Sequence, residues 1–459
     1  MIITIPMKKT LTLKNIAFAL FLTLPVLTNA QAPKTFGKSI TEVPNPENGM
    51  IRCISSEYES YLQANNSNRA TTDQFESWIS GKIAERRATS DLQKSGNTVV
   101  TLPVVIHVIH NGDALGSNEN IKEGQILAQL ESLNNDFRRK PGTAGYNDMA
   151  VGADTEIQFC LAQVDPSGEP TSGIIRYNKQ KTFWTRQEVE DQLKFQTQWD
   201  PEKYLNIWVA NFGGDLSNVL GYAQFPSDSG LPGLDGGLDY TDGVIINYKN
   251  FGNADIFPGG TYGPPYNKGR TSSHEIGHFL GLRHIWGDGA GCNNTDYCDD
   301  TPFAYEANSS CLDDTLDSCP SKPGLDMTNN YMDYTNDDCM NVFTQDQKER
   351  MVTVLANATR RKTLVTSTVC GLATSADFEM LRGMTVYPNP AQNELNISVG
   401  NSEMPDSYVI YNTLGQTVAN VKVSGESSLT VNTSEYAKGV YIIKIFKGND
   451  SKTIKFIKE

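Results

Sequence analysis

The sequence predicts a mixed α/β core, preceded by a helical segment and followed by a small all-β module. Three observations carry that reading. A β-branched run at Val99–Ile109 gives way to a helix-period pattern, the alternation that builds an α/β core. A stretch rich in acids and cysteines, from Asp288 to Asp346, keeps no period. After Cys370 the chain turns to short alternating strands set between turn residues. Its 459 residues leave room for about three folding units.

The elements follow in order. Lys8, Lys9 and Lys14 precede an apolar run from Ile16 to Leu27, and Thr28-Asn29-Ala30 ends it with small residues. This is the pattern of a secretory signal over residues 1–30, cleaved after Ala30, and the run is too short to span a bilayer. Export permits disulfides among the eight cysteines. Residues 31–98 read as a helical pro-segment on a cleavable linker. Asp73-Gln74-Phe75-Glu76 has the spacing of a helix cap with a reciprocating acid, and Phe75, Trp78, Ile79 and Ile83 share one face. Arg86-Arg87 and the polar stretch Ser90–Asn97 offer activation sites.

The core is expected over residues 99–372. Its helix carries Ile126, Leu127, Leu130 and Leu133 and ends near Phe137, and further strands are expected at Glu156–Ala162, Leu205–Asn211 and Val244–Tyr248. From Asp288 to Asp346, 13 acids face the single base Lys322, and five of the eight cysteines lie there. That composition reads as a long loop pinned by covalent bonds and ions. Residues 383–459 are expected to form a β-sandwich, with strands at Leu395–Val399, Ser407–Tyr411, Val440–Phe446 and Thr453–Ile457. Turn residues Pro388-Asn389-Pro390 and Leu414-Gly415-Gln416 separate them.

Charge excludes several functions. Asp and Glu number 53 against 39 Lys and Arg, a net charge of −14. Nucleic-acid binding needs a basic face, so that partner is excluded. The chain has no P-loop signature, no heptad run and no tandem repeat.

Three of only five histidines fall in His274-Glu275-Ile276-Gly277-His278-Phe279-Leu280-Gly281-Leu282-Arg283-His284. His274 and His278, four apart, project from one helical face toward one point. His284 would lie off that face if the helix continued. Gly281 can take a positive φ and turn the chain back, so that His284 rejoins the other two. Three neutral imidazoles leave a fourth position open for water, the mark of a catalytic zinc site. Glu275 is placed to act as general base, with no nucleophilic Ser or Cys required. His107 and His110 point to opposite faces of the first strand and are read as core or edge residues.

This motif, followed by the methionine of Asn330-Tyr331-Met332-Asp333-Tyr334-Thr335, resembles the metzincin signature. Together with Cys298-Asp299-Asp300-Thr301-Pro302 and Asp338-Cys339-Met340-Asn341, it is similar to the pappalysin family, in particular its ulilysin-like and cytophagalysin-like members. The resemblance covers about residues 99–370 and implies a two-part metzincin catalytic domain with endopeptidase activity. It implies His274, His278 and His284 as zinc ligands, Glu275 as general base and acid, and Met332 as the floor under the metal. Tyr334 becomes the oxyanion donor. Asp338 would line a pocket that selects Arg, and less well Lys, after the scissile bond.

Spacing and resemblance suggest the disulfides Cys292–Cys319 and Cys311–Cys339, while Cys298 is left to Cys160, to Cys370 or to no partner. The resemblance also implies calcium on Asp296 and Thr301, oxygen donors suited to a hard cation. Cys53, the only cysteine of the pro-segment, is preceded by Arg52 in a short irregular stretch and is expected to occupy the zinc of a latent precursor. A bridge from Cys53 to Cys160, Cys298 or Cys370 is the alternative. The tail resembles the C-terminal sorting domain of type IX secretion substrates, through Tyr387-Pro388-Asn389-Pro390 and Gly439-Val440-Tyr441. It implies export across a Gram-negative outer membrane by that secretion machinery, ending in release or surface attachment. Protein and peptide substrates are the other expected partners. The rival function is a non-catalytic surface adhesin on the same scaffold, and the intact Glu275 argues for the enzyme.

Overall fold

The computed structural model describes residues 34–35, 38–39, 44–90, 99–226, 239–311, 315–370 and 384–459, the last with breaks at 400–403, 413–415, 424–428 and 448–449. The expected signal, the polar linker and the Leu414-Gly415 turn lie outside the described residues. Lys34–Thr35 (β1) and Lys38–Ser39 (β2) pair as a short ribbon. Strand Ile51–Cys53 (β3) and helices Ser55–Asn65 (α1) and Thr72–Ser90 (α2) complete the N-terminal region.

The core alternates strand and helix as expected, from β4 (Val100–His110) and α3 (Glu123–Phe137) to β5 (Ile157–Leu161) and β6 (Ile174–Asn178). An irregular helix follows, with α4 (Arg186–Glu188) and α5 (Lys194–Thr197) joined by a π-turn at Val189–Leu193. Next come β7 (Leu205–Ala210), β8 (Val219–Ala223), β9 (Val244–Asn247) and α6 (Arg270–Phe279). Helices α7 (Gln345–Asn357) and α8 (Thr359–Val365) end the core.

Seven strands form one sheet, ordered β3-β8-β9-β7-β4-β5, with β6 beside the second half of β4. Every pairing in this sheet is parallel except β8 with β9. Strand β4 is apolar on both faces because both are covered. Leu102, Val104, Ile106 and Val108 join the core beneath with Ile276 and Phe279 of α6, while Ile109 joins a second cluster above. In α3, Ile126, Leu133 and Phe137 are buried, but Leu127 is 40% exposed and turns to solvent.

The N-terminal region departs from expectation in three ways. Ile51–Cys53 is a strand, not an irregular stretch, and it extends the core sheet along β8 in the register Ile51↔Val219 and Cys53↔Gly221. The cap of α2 is Thr71 with Gln74, whose side chains and backbone amides exchange bonds at 3.3 and 2.9 Å. Glu76 is thereby freed for another role. Arg86 and Arg87 lie inside α2, and Arg87 pairs with Asp346 and Glu349, so cleavage there first requires the helix to unwind.

Cys160 is bonded to Cys370, Cys292 to Cys319 and Cys311 to Cys339, while Cys53 and Cys298 are buried thiols. In the tail, β10 (Thr385–Tyr387), β11 (Glu394–Ser398) and β14 (Leu429–Asn432) make one antiparallel sheet. A second joins β12 (Ser407–Asn412), β13 (Thr417–Lys422), β15 (Gly439–Lys447) and β16 (Asp450–Lys458). Leu395, Ile397, Ile410, Ile443, Ile445 and Phe456 form its own core. No helix among the described residues is long and apolar enough to cross a membrane.

Candidate active site

Helix α6 carries His274, Glu275 and His278, all fully buried. It stops at Leu280 because Gly281 takes φ +92°, and a Cβ there would meet Val354 Cγ2 at 2.9 Å. The turn brings His284 back to the helix. Gly277 has a different reason to be glycine: a Cβ at that position would collide with the sulfur of Met332.

Each imidazole turns Nδ1 outward. His274 donates to the carbonyl of Tyr331 at 2.7 Å, His278 to that of Leu282 at 2.8 Å, and His284 to the carboxylate of Asp288. Their Nε2 atoms therefore converge as lone pairs, 3.0 to 3.2 Å apart. Tetrahedral nitrogens at ~2.0 Å from zinc lie about 3.3 Å from one another, so the spacing fits a metal. Burial, then repulsion from the neighbouring imidazoles, pushes His274 and His278 well below the usual range, which keeps them neutral ligands.

The sulfur of Cys53 completes the cluster, and the four donor atoms lie within 4.8 Å of one another. Burial, with Glu275 as second cause, pushes this thiol well up, so a thiolate forms there only beside a cation. Glu275 Oε2 accepts from Ser55 Oγ at 2.8 Å and contacts Cys53 Sγ at 3.3 Å, while its buried Oε1 has no protein partner. Burial raises Glu275 to about 7. Tyr334 packs its ring edge-on to His284, 4.9 Å between centroids, and donates its hydroxyl to the Cys53 carbonyl at 3.1 Å.

The acids sort differently from expectation. Asp338 is not buried: its side chain is 61% exposed and pairs with Lys268. The buried carboxylate is the preceding Asp337, whose Oδ1 takes Arg52 at 2.8 Å and whose Oδ2 takes the Lys268 amide at 2.8 Å. Arg52 also donates to the Thr335 carbonyl and lies over Tyr266, 5.3 Å from its centroid. Asp296 and Thr301 come together, with Thr301 Oγ1 2.8 and 2.9 Å from the two carboxylate oxygens, and burial raises Asp296 to about 7.

Sequence reasoning missed Ser55, Asp337, Glu76 and Asp288. Glu76 of α2 is buried between Arg283 and Arg350, at 3.1 and 2.7 Å. Ser55 and Asp288 stand two and four residues beyond singled-out residues, a weak signal by itself. His107 is buried against Trp208 and bonded to Asn206, remote from the cluster.

The fold and this site define a metalloendopeptidase of the metzincin class. Residues 188–356 match the family described as pregnancy-associated plasma protein-A, and residues 385–459 match the secretion system C-terminal sorting domain. An extracellular metalloprotease of Neurospora crassa is 42% identical over 272 residues, 59% of this chain and 80% of that protein. Another from Colletotrichum graminicola is 30% identical over 277 residues, 60% of this chain and 83% of that protein. Among solved structures, mature mirolysin of Tannerella forsythia with a cleaved peptide is 39% identical at TM-score 0.50, over 58% of this chain and 96% of that one. A promirolysin mutant from the same organism is 34% identical at TM-score 0.50, over 62% and 91%. The chain belongs to the pappalysin family of metalloproteases, and its tail is a secretion sorting domain.

Proposed function

We propose that the chain is a zinc endopeptidase exported as a latent precursor, with a preference for Arg, and less well Lys, after the scissile bond. Residues 1–30 are the signal, 31–98 the pro-segment, 99–372 the catalytic domain and 383–459 the sorting domain. One observation carries the reading: Tyr334, Glu275 and the three histidines all converge on the backbone and side chain of Cys53.

His274, His278 and His284 hold the zinc, which when bound acidifies water and polarises the scissile carbonyl. Glu275, beside the histidines on the same helix, takes the proton of the attacking water and returns it to the leaving amine. Tyr334 donates to the oxygen on which charge develops. The Cys53 carbonyl is the stand-in for that oxygen in the precursor. Met332 supplies the apolar floor.

Latency follows from the same contacts. Cys53 would serve as a further ligand beside the three histidines, Ser55 occupies Glu275, and Arg52 is paired with the buried Asp337. The last contact moves the selectivity from Asp338 to Asp337. Arg52 divides its two terminal nitrogens between the Asp337 carboxylate and the Thr335 carbonyl, a planar spread of donors that the point charge of an ammonium does not match. Calcium is proposed to stabilise the acidic loop through Asp296 and Thr301, and type IX export to carry the protein through a Gram-negative outer membrane.

Cleavage of casein and of a quenched peptide library by precursor and processed protein, with and without chelator, tests this. The expected result is chelator-sensitive cleavage before Arg by processed protein alone. Equal activity of both forms would contradict the latency, and chelator-resistant cleavage would contradict the metal.

A further inference from the structure

We propose that Asp288 is a positioning residue for the metal centre, fixing the tautomer and aim of His284. The inference rests on the zinc reading above. His274 and His278 are set by the helix that carries them and by backbone carbonyl acceptors. His284 lies beyond the Gly281 turn, off that helix. Its ring is held instead by Trp286 stacked on one face, 4.3 Å between centroids and 5° between planes, and by the Asp288 carboxylate on Nδ1.

The choice of acceptor matters chemically. A carboxylate binds Nδ1–H more strongly than a carbonyl does, so it locks the proton there and makes Nε2 a better donor to a metal. The backbone is shaped to deliver it. Gly287 and Asp288 take φ +71° and +59° in succession, and the Gly287 amide donates to the His284 carbonyl at 2.9 Å. This tight turn folds the Asp288 side chain back under the imidazole four residues before it. Ser56 of the pro-segment donates to the same Asp288 oxygen at 2.9 Å. Asp288 shares its pull between two donors while the pro-segment is bound.

A residue needed only for the turn would act on the fold and not on the metal, and the left-handed φ separates these roles. Asp288→Gly accepts the turn and removes the acceptor. Asp288→Asn accepts the turn and keeps a neutral acceptor, while Asp288→Ala strains the turn and removes the acceptor. The measurements are zinc transfer from the full chain to a competing chelator, the visible absorption of the cobalt-substituted chain, and melting of the metal-free chain. The expected result for Asp288→Gly is unchanged metal-free melting, altered cobalt bands and zinc affinity lower by about 10–100-fold. Asp288→Asn should lose less, and Asp288→Ala should lose as much while also melting lower. Zinc affinity of Asp288→Gly within about twofold of the unmodified chain would overturn the proposal. So would affinity and metal-free melting falling together in all three variants. An unmodified chain that does not bind zinc would instead overturn the metal reading.

Discussion

The pro-segment and the sorting tail are both small additions to the catalytic core, yet they are built on opposite plans. The tail buries Leu395, Ile410, Ile443 and Phe456 against one another, between its own two sheets. Among its described residues, the proposed pro-segment shows no such core. Its Ile51, Ile54, Tyr58 and Leu62 are buried among Trp208, Leu216 and Tyr222, and its Phe75 and Ile79 against Val354 of α7 and Ala358 just after it. Its ions behave the same way, since Arg52 and Glu76 pair with Asp337, Arg283 and Arg350. The pro-segment is shaped by the enzyme it covers, and the tail is shaped by itself. On the proposed reading, inhibition by such a segment would end when it is cut away, whereas a self-contained tail would be available to other machinery in either state.

Experiments on single residues can break or sharpen this contrast. The largest effect is expected from Glu275→Gln, which removes the base and should lower peptide hydrolysis by about 10²–10⁴-fold. The variant should therefore accumulate as uncut precursor, which gel electrophoresis reads directly; turnover near that of the unmodified enzyme would refute the assigned role. Next comes Glu76→Ala, which leaves buried Arg283 and Arg350 unpaired in the precursor. Breaking such a buried pair costs about 3–5 kcal/mol. Urea unfolding should show that loss in the precursor and none in processed protein, because there the partner helix is already gone. An unchanged urea midpoint in the substituted precursor would mean that this segment is not folded upon the enzyme.

A smaller change is expected from Asp337→Asn, which should erase the preference for Arg over other residues in peptide-library cleavage while leaving hydrolysis intact. Asp338→Asn should leave the profile as it was. The reverse outcome would return the pocket to Asp338. The smallest effect is expected from calcium. Its removal should lower the melting temperature by a few degrees through the loop of Asp296 and Thr301, about 1–2 kcal/mol for a domain of this size. Identical melting with and without calcium would dispose of that ion.

Much of the site was legible because its chemistry is written at fixed local spacing. The two histidines four apart, the glycine that turns the chain and the returning histidine need no tertiary knowledge. The pro-segment cysteine stood out by being alone. What stayed hidden depends on pairing across long stretches of chain. Strand β3 is three residues long and shows no period, because it exists only by adding to β8. Strand β8 itself, Val219-Leu220-Gly221-Tyr222-Ala223, is buried on both faces and has no polar alternation to reveal it. Asp337 and Asp338 are indistinguishable in sequence, and only the packing decides which one faces Arg52. Glu76 looked like a helix cap because Thr71 and Gln74, which do the capping, lie just before it.

We propose that one metal is held by His274, His278 and His284 and, before processing, by Cys53 as well. X-ray absorption at the zinc edge reads those ligands directly, in the full precursor and again after the pro-segment has been removed. The account predicts one sulfur at about 2.3 Å in the precursor, replaced after processing by nitrogen and oxygen neighbours near ~2.0 Å. A precursor whose zinc has only nitrogen and oxygen neighbours would contradict it.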